Sequence, residues 1–192
     1  MRVIDIPCRM RVQGTIVDFE GTHFDADKGE LVTAGFLSND GFTIVQRCNL
    51  AESEFKEAII DRMQQYEKPW YAYHKQCEEG FSGLTVEREL QNGRESTYTA
   101  LRRYGLAEHY NALCDPLFND EIPAFWEVWM NTRNLLFLSK IVRHNYCCLA
   151  KEYILKLRKE DGCKLDDIPR LRSSTSIERH YIRPLLHFEL DV

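Results

Sequence analysis

Three strand-like segments in close succession constrain this chain more than any other feature. Residues 11–20 (RVQGTIVDFE) alternate and are rich in β-branched side chains, as a pleated, half-buried surface requires. A turn-prone stretch from His23 to Gly29 follows. LVTAGFLS (31–38) then reads as a second strand, Asn39-Asp40-Gly41 as a tight hairpin turn, and FTIVQRC (42–48) as a third. Successive strands joined by short turns pair with their neighbours, so an antiparallel meander is expected here.

The period then changes. Phe55, Ile59, Met63 and Tyr66 recur at helical spacing over 51–66, with Asn49 or the Glu52–Ser53 region as the source of the cap. Pro69 ends that helix and WYAYH (70–74) reads as a short buried strand. Helices are expected over 75–90 and 94–112, separated by Asn92-Gly93, and a short strand or extended piece over LCDPLF (113–118). A long helical stretch covers 122–138 and 139–160, with an apolar face that includes Leu138, Val142, Leu149 and Tyr153, and Gly162 ends it. This β-β-β-α-β-α…β…α order describes an α/β domain with a mixed sheet flanked by helices.

From Asp166 the character differs. Pro169, the serine-threonine run 173–176 and Pro184 interrupt any period, while Arg170, Arg172, Arg179 and Arg183 make the segment locally basic. The expected division is a domain over 1–165 and a C-terminal basic extension over 166–192. That extension is either a loosely packed appendage or an arm that touches phosphates.

Composition narrows the function classes. The 192 residues suit one domain, and no apolar run reaches the roughly 18–20 residues of a membrane span. The opening Met-Arg-Val-Ile-Asp-Ile-Pro puts an acid and a proline where a secretory leader needs apolar residues, so a cytoplasmic protein is expected. With 25 Lys+Arg against 30 Asp+Glu, the net charge of −5 argues against a broadly nucleic-acid-coating surface but leaves room for a local basic track. Seven irregularly spaced cysteines without a Cys-x-x-Cys suit reduced thiols packed as small hydrophobes. Glycine-rich nucleotide loops are absent. Trp70, Trp126 and Trp129 are expected to anchor the core.

The chemistry begins at the end of the first strand, in Val17-Asp18-Phe19-Glu20-Gly21-Thr22. Residues i and i+2 of a strand share a face, so Asp18 and Glu20 present two carboxylates side by side. Such a pair repels unless a cation lies between its members, and hard oxygen ligands favour Mg²⁺ or Mn²⁺.

Asp-x-Glu-Gly-Thr in this position resembles the first motif of the DEDD 3′–5′ exonuclease superfamily, which has the ribonuclease H-like fold. Tyr73-His74-Lys75-Gln76-Cys77-Glu78 lies where that superfamily carries its second acid, with Glu78 at the acidic position. Ile122-Pro123-Ala124-Phe125-Trp126, followed by Ile141-Val142-Arg143-His144-Asn145, is similar to the closing helices of the bacterial and archaeal exonuclease-like branch, and Cys114-Asp115-Pro116-Leu117 to its intervening Asp-Leu segment. The resemblance covers residues 11–160 in order. It implies a ribonuclease H-like fold and a nuclease that hydrolyses DNA or RNA from a single-stranded end. Asp18, Glu20 and Glu78 would hold Mg²⁺ or Mn²⁺, and His144 would stand for the tyrosine that positions the attacking water.

Cys148 falls on the final metal-binding aspartate. A thiolate is a soft ligand at a hard-cation site, which points to reduced activity. The alternative is a catalytically silent domain that binds nucleic acid or a partner protein through the same groove. Two further readings use the cysteines. His74-x-x-Cys77 and His144-x-x-Cys147 repeat one spacing and could form a Zn²⁺ tetrahedron, with Cys148 as an additional ligand. A Cys148–His144 hydrolase dyad has the right i, i+4 spacing, but the sequence names no third residue to orient the histidine.

Overall fold

Alternation in the first fifty residues produces four strands of one mixed six-stranded sheet in the computed structural model, which describes residues 1–91 and 95–183. The strands are β1 (Arg2–Pro7), β2 (Thr15–Gly21), β3 (Leu31–Ser38), β4 (Gly41–Gln46), β5 (Trp70–Ala72) and β6 (Arg88–Glu89), in the order β1-β4-β3-β2-β5-β6. Neighbours from β1 to β2 run antiparallel, and β5 and β6 continue parallel to β2. The meander is present, and its first strand lies at the centre of the sheet. Strand β1 is an addition to the sequence reading. Its Ile4 and Ile6 are buried while it pairs along β4.

Helices cover both faces of the sheet. One core joins Val17, Phe19 and Phe36 to Phe55, Ile59 and Met63 of α1 (Glu52–Met63). The other joins Ile16 and Leu37 to Val142, Tyr146 and Leu149 of α6 (Leu135–Lys159). Trp126 and Trp129 belong to the α6 side and Trp70 to the α1 side.

Several boundaries differ from the sequence reading for local reasons. The cap position of α1 is Ala51, which makes no side-chain cap bond, and not Asn49 or the Glu52–Ser53 region. The helix expected over 75–90 is α2 (Lys75–Ser82) alone, because Gly83 takes φ 67°, a left-handed conformation that closes a helix. The strand β6 follows it. The stretch 94–112 holds α3 (Thr97–Arg103) and α4 (Ala107–Ala112), parted at Gly105; the Asn92-Gly93 turn lies outside the described residues. LCDPLF is not a strand, since Cys114 turns the chain at φ 54°. The long stretch 122–160 is divided into α5 (Ile122–Thr132) and α6 by Arg133 at φ 55°. Asn134 then caps α6, its side chain accepting from the Leu136 N–H at 3.0 Å.

The C-terminal segment is not loosely attached up to residue 183. Ile168, Ile177 and Ile182 are buried in the α6 core, the Ser174 N–H donates to the Leu113 carbonyl, and Arg143 of α6 pairs with Glu178 at 2.9 Å. Residues 177 and 178 lie at the junction of a short helix α7 (Ser174–Ile177) and a π-helical turn. Residues 184–192, with Pro184, lie outside the described residues. Among the described residues no helix is long and apolar enough to cross a membrane.

Candidate functional site

Asp18 and Glu20 point from the central strand toward α6, on the face that also carries Ile16. In register with Asp18 on β3 stands Gly35, and the reason is close approach. A Cβ there would lie 2.2 Å from Asn145 Oδ1 and 2.7 Å from Leu149. The missing side chain lets α6 come down on the sheet, where Asn145 donates to both the Asp18 carbonyl (2.9 Å) and its Oδ2 (2.7 Å). Gly35→Ala is therefore expected to push Asn145 off Asp18 and cost about 1–3 kcal/mol by overpacking. A denaturant melt of the variant measures this.

His144, Asn145, Cys148, Lys151 and Glu152 recur at helical spacing along one face of α6, and all are buried. The first turn of α2 contributes Glu78, also buried, whose Oε1 accepts from the Phe19 N–H at 3.4 Å. Asp18, Glu20, Glu78, Cys148 and Glu152 thus line one pocket, with His74 and Phe24 at its rim in edge-on contact. His144 stands immediately behind Glu20, its Nε2 3.4 Å from Glu20 Oε1.

The structure therefore brings together Asp18, Glu20, Glu78, His144 and Cys148. It adds Glu152, one helical turn beyond Cys148, which the sequence reading passed over. It does not bring together the two His-x-x-Cys pairs. Cys147 faces the Leu113 carbonyl on another side of α6, and Cys77 faces the Phe19 carbonyl. Among the described residues, the His/Cys/Asp/Glu set with ligand atoms all within 4.8 Å of one another is Glu20, His144 and Cys148.

The electrostatics are those of a concentrated, buried negative charge. Burial pushes the Asp18 carboxyl well above the usual carboxylate range, and Glu20 adds to it, although His144 and Lys151 oppose. Burial and then the Asp18 charge push Glu78 the same way. Glu152 is raised by burial, Asp18 and Glu78, although Lys151 opposes. Glu78 Oε2 and Glu152 Oε2 are buried without a hydrogen-bond partner. The nearby cationic side chain is spent elsewhere: Lys151 Nζ donates to Asp115 Oδ2 at 2.9 Å. Asp115 Oδ1 lies 2.8 Å from His144 Nδ1. Burial lowers the His144 pKa, but Glu20 and Asp115 outweigh it and hold it above its ordinary value. Orphaned oxygens on two buried carboxylates that line one pocket with two more are the hard donor type a divalent cation takes.

That charge balance has a pH signature. The unfolded chain ionises these acids in the ordinary carboxylate range while the folded chain still holds their protons. Stability of the chelated protein is therefore expected to fall as pH rises from about 5 to about 8. Mn²⁺ should raise the melting temperature more at the upper end, where fewer protons compete. At a hundredfold excess over Kd the gain is about 2.7 kcal/mol, or about 5–10 °C for a chain of this size. Thermal melts with chelator and with Mn²⁺ at both pH values check this.

Neither the protein-family models nor the curated proteins nor the solved structures include a match to this chain.

Proposed function

We propose that this chain is a metal-dependent nuclease of ribonuclease H-like fold that hydrolyses phosphodiester bonds at a single-stranded nucleic-acid end. The observation that carries the reading is the convergence of Asp18 and Glu20 from β2, Glu78 from α2 and Glu152 from α6 on one pocket, with no lysine or arginine among the described residues that line it. The sheet supports it. Leaving out the edge strand β1, the order β4-β3-β2-β5-β6, three antiparallel strands followed by two parallel to the first, suits a ribonuclease H-like domain.

In this reading Asp18, Glu20, Glu78 and Glu152 hold Mg²⁺ or Mn²⁺, which supplies Lewis-acid stabilisation of the charge developing on the phosphate. Asn145 fixes the Asp18 rotamer. His144, with Nδ1 held by Asp115 and Nε2 turned toward Glu20, is placed to orient the attacking water through the Glu20 carboxylate. Beside the carboxylate pocket lies a second cavity that shares Phe24, Tyr73 and His74 with it and is bordered by Tyr98, Tyr110 and Phe118. Phe24, Tyr98 and Phe118 are exposed at 58%, 43% and 71%. Exposed rings next to a hydrolytic pocket suit stacking of unpaired bases, which tolerates any sequence.

End-labelled single strands of DNA and RNA, and a blunt duplex, incubated with Mg²⁺ or Mn²⁺ test the proposal. Stepwise shortening of single strands from one end is expected, lost on chelation and slower on the duplex. Binding without shortening under every metal condition would leave the silent-domain reading in its place.

A further inference from the structure

We infer that Glu20, His144 and Cys148 form a binding site for a borderline-soft divalent ion of the zinc class, next to the hard-cation position among Asp18, Glu78 and Glu152. The inference uses the same pocket as the nuclease reading, on which it rests for Glu20 and His144, and Cys148 is the ligand it adds. A thiolate has no use at a magnesium site, whereas sulfur, imidazole nitrogen and carboxylate oxygen are the three donor types zinc takes.

Ligand spacing is the first argument. Around a zinc ion with bonds of about 2.0–2.3 Å at tetrahedral angles, nitrogen and oxygen ligands stand about 3.4 Å apart and nitrogen and sulfur about 3.5 Å. His144 Nε2 lies 3.4 Å from Glu20 Oε1 and 3.6 Å from Cys148 Sγ. Three protein ligands leave a fourth position facing the pocket that Glu20 and Cys148 line.

The second argument is the support behind the histidine. A metal-binding imidazole needs its other nitrogen protonated and held, and a carboxylate is the usual holder. Asp115 Oδ1 does this at 2.8 Å from Nδ1, and Lys151 holds the other oxygen of Asp115 at 2.9 Å. His144 so held turns Nε2 toward Glu20 and Cys148, and any proton on Nε2 leaves when a cation binds. All of these groups are buried or half-buried, so the arrangement is packed in place.

The same three residues Cys148, His144 and Asp115 could be taken for a nucleophilic triad. Two features oppose that. Cys148 sits in the interior of α6, where backbone N–H groups are committed to the helix and cannot stabilise an oxyanion. Asp18 and Glu20 also line the pocket beside the thiol, so a free thiolate would face like charges there, whereas a bound cation reverses that repulsion. Binding releases the thiol proton to solvent.

Cobalt(II) reports thiolate ligation through a sulfur-to-metal charge-transfer band in the near ultraviolet. Full-length chelated protein titrated with Co²⁺ is expected to take up one equivalent with that band, and Zn²⁺ should displace it. Cys148→Ser should lose the band while Cys147→Ser keeps it. Asp115→Asn, which weakens the support behind His144 and leaves Lys151 without its counter-charge, should keep the band at saturation in the folded variant with affinity lower by about 10–100-fold. Circular dichroism shows whether each variant folds. A band that survives Cys148→Ser, an affinity untouched by Asp115→Asn, or alkylation of metal-free Cys148 ahead of exposed Cys114 would overturn the inference. Glu78→Gln separates the two readings. It should abolish Mg²⁺-dependent hydrolysis and leave the cobalt band, whereas a parent chain that shows the band but never hydrolyses defeats the nuclease reading alone.

Discussion

Asp18→Asn is expected to lower metal-dependent hydrolysis about a thousandfold while leaving the metal-free chain at least as stable as the parent. Losing one oxygen ligand forfeits several kcal/mol of charge stabilisation at the phosphate, and each factor of ten corresponds to about 1.4 kcal/mol. The stability change has the opposite sign because Asp18 is a buried carboxylate beside Glu20 and Glu152. Asparagine can still accept from Asn145 through its own side-chain oxygen, so the α6 contact survives while the repulsion goes. Initial rates on labelled single strands, with melts under chelation, measure both. A variant as active as the parent would mean that the chemistry lies elsewhere.

Lys151→Met should unfold the chain far more easily. The Lys151–Asp115 pair is buried, with side-chain exposures of 7% and 10%. Methionine keeps the length of the stem but leaves the Asp115 carboxylate without its ammonium, and breaking a buried pair from one side costs about 3–5 kcal/mol. The Asp115 carboxyl now titrates below its usual range: burial pushes it up, but the hydrogen bond and charge of His144 and the Lys151 ammonium outweigh that. With Lys151 removed, the orientation of His144 weakens as well. Equilibrium urea unfolding checks the magnitude, and a loss under 1 kcal/mol would show the pair to be dispensable.

How much of this was legible in the sequence follows from which interactions are local. The meander was, because alternation and the Asn39-Asp40-Gly41 turn are written in adjacent residues. So was the juxtaposition of Asp18 and Glu20, which follows from strand period alone. Strand β1 was missed because its pairing partner β4 lies some forty residues away, and a short edge strand carries little pattern of its own. The helix boundaries at Gly83, Gly105 and Arg133 depend on left-handed residues, of which only the glycines leave a trace in sequence.

The site divides in the same way. Glu78 was placed at its position through the resemblance to the exonucleases, and it lines the pocket with Asp18 and Glu20. Glu152 lies beyond Cys148, the last position that the resemblance covers with a metal ligand, although helical period puts position 152 directly above 148. Asp115 and Lys151 could not be assigned. Asp115 lies in an irregular segment whose approach to α6 is set by Cys114 and by the packing of the C-terminal residues against Leu113. The third member of the Cys148–His144 set was therefore a tertiary fact.

Helix α6 is enclosed on all sides from Ile141 to Leu157, with Arg143 alone partly exposed in that span. Amide groups in such a helix exchange with solvent water only when the whole molecule opens, whereas a short helix with a few buried residues can open by itself. Helix α2 has eight residues, of which Glu78, Phe81 and Ser82 are buried. The ring of acids accordingly has an unyielding arc, made by Asp18, Glu20 and Glu152, and one compliant member, Glu78. On the proposed function, a cation of larger radius would be accommodated from the Glu78 side, and tolerance for one ion over another would be set there.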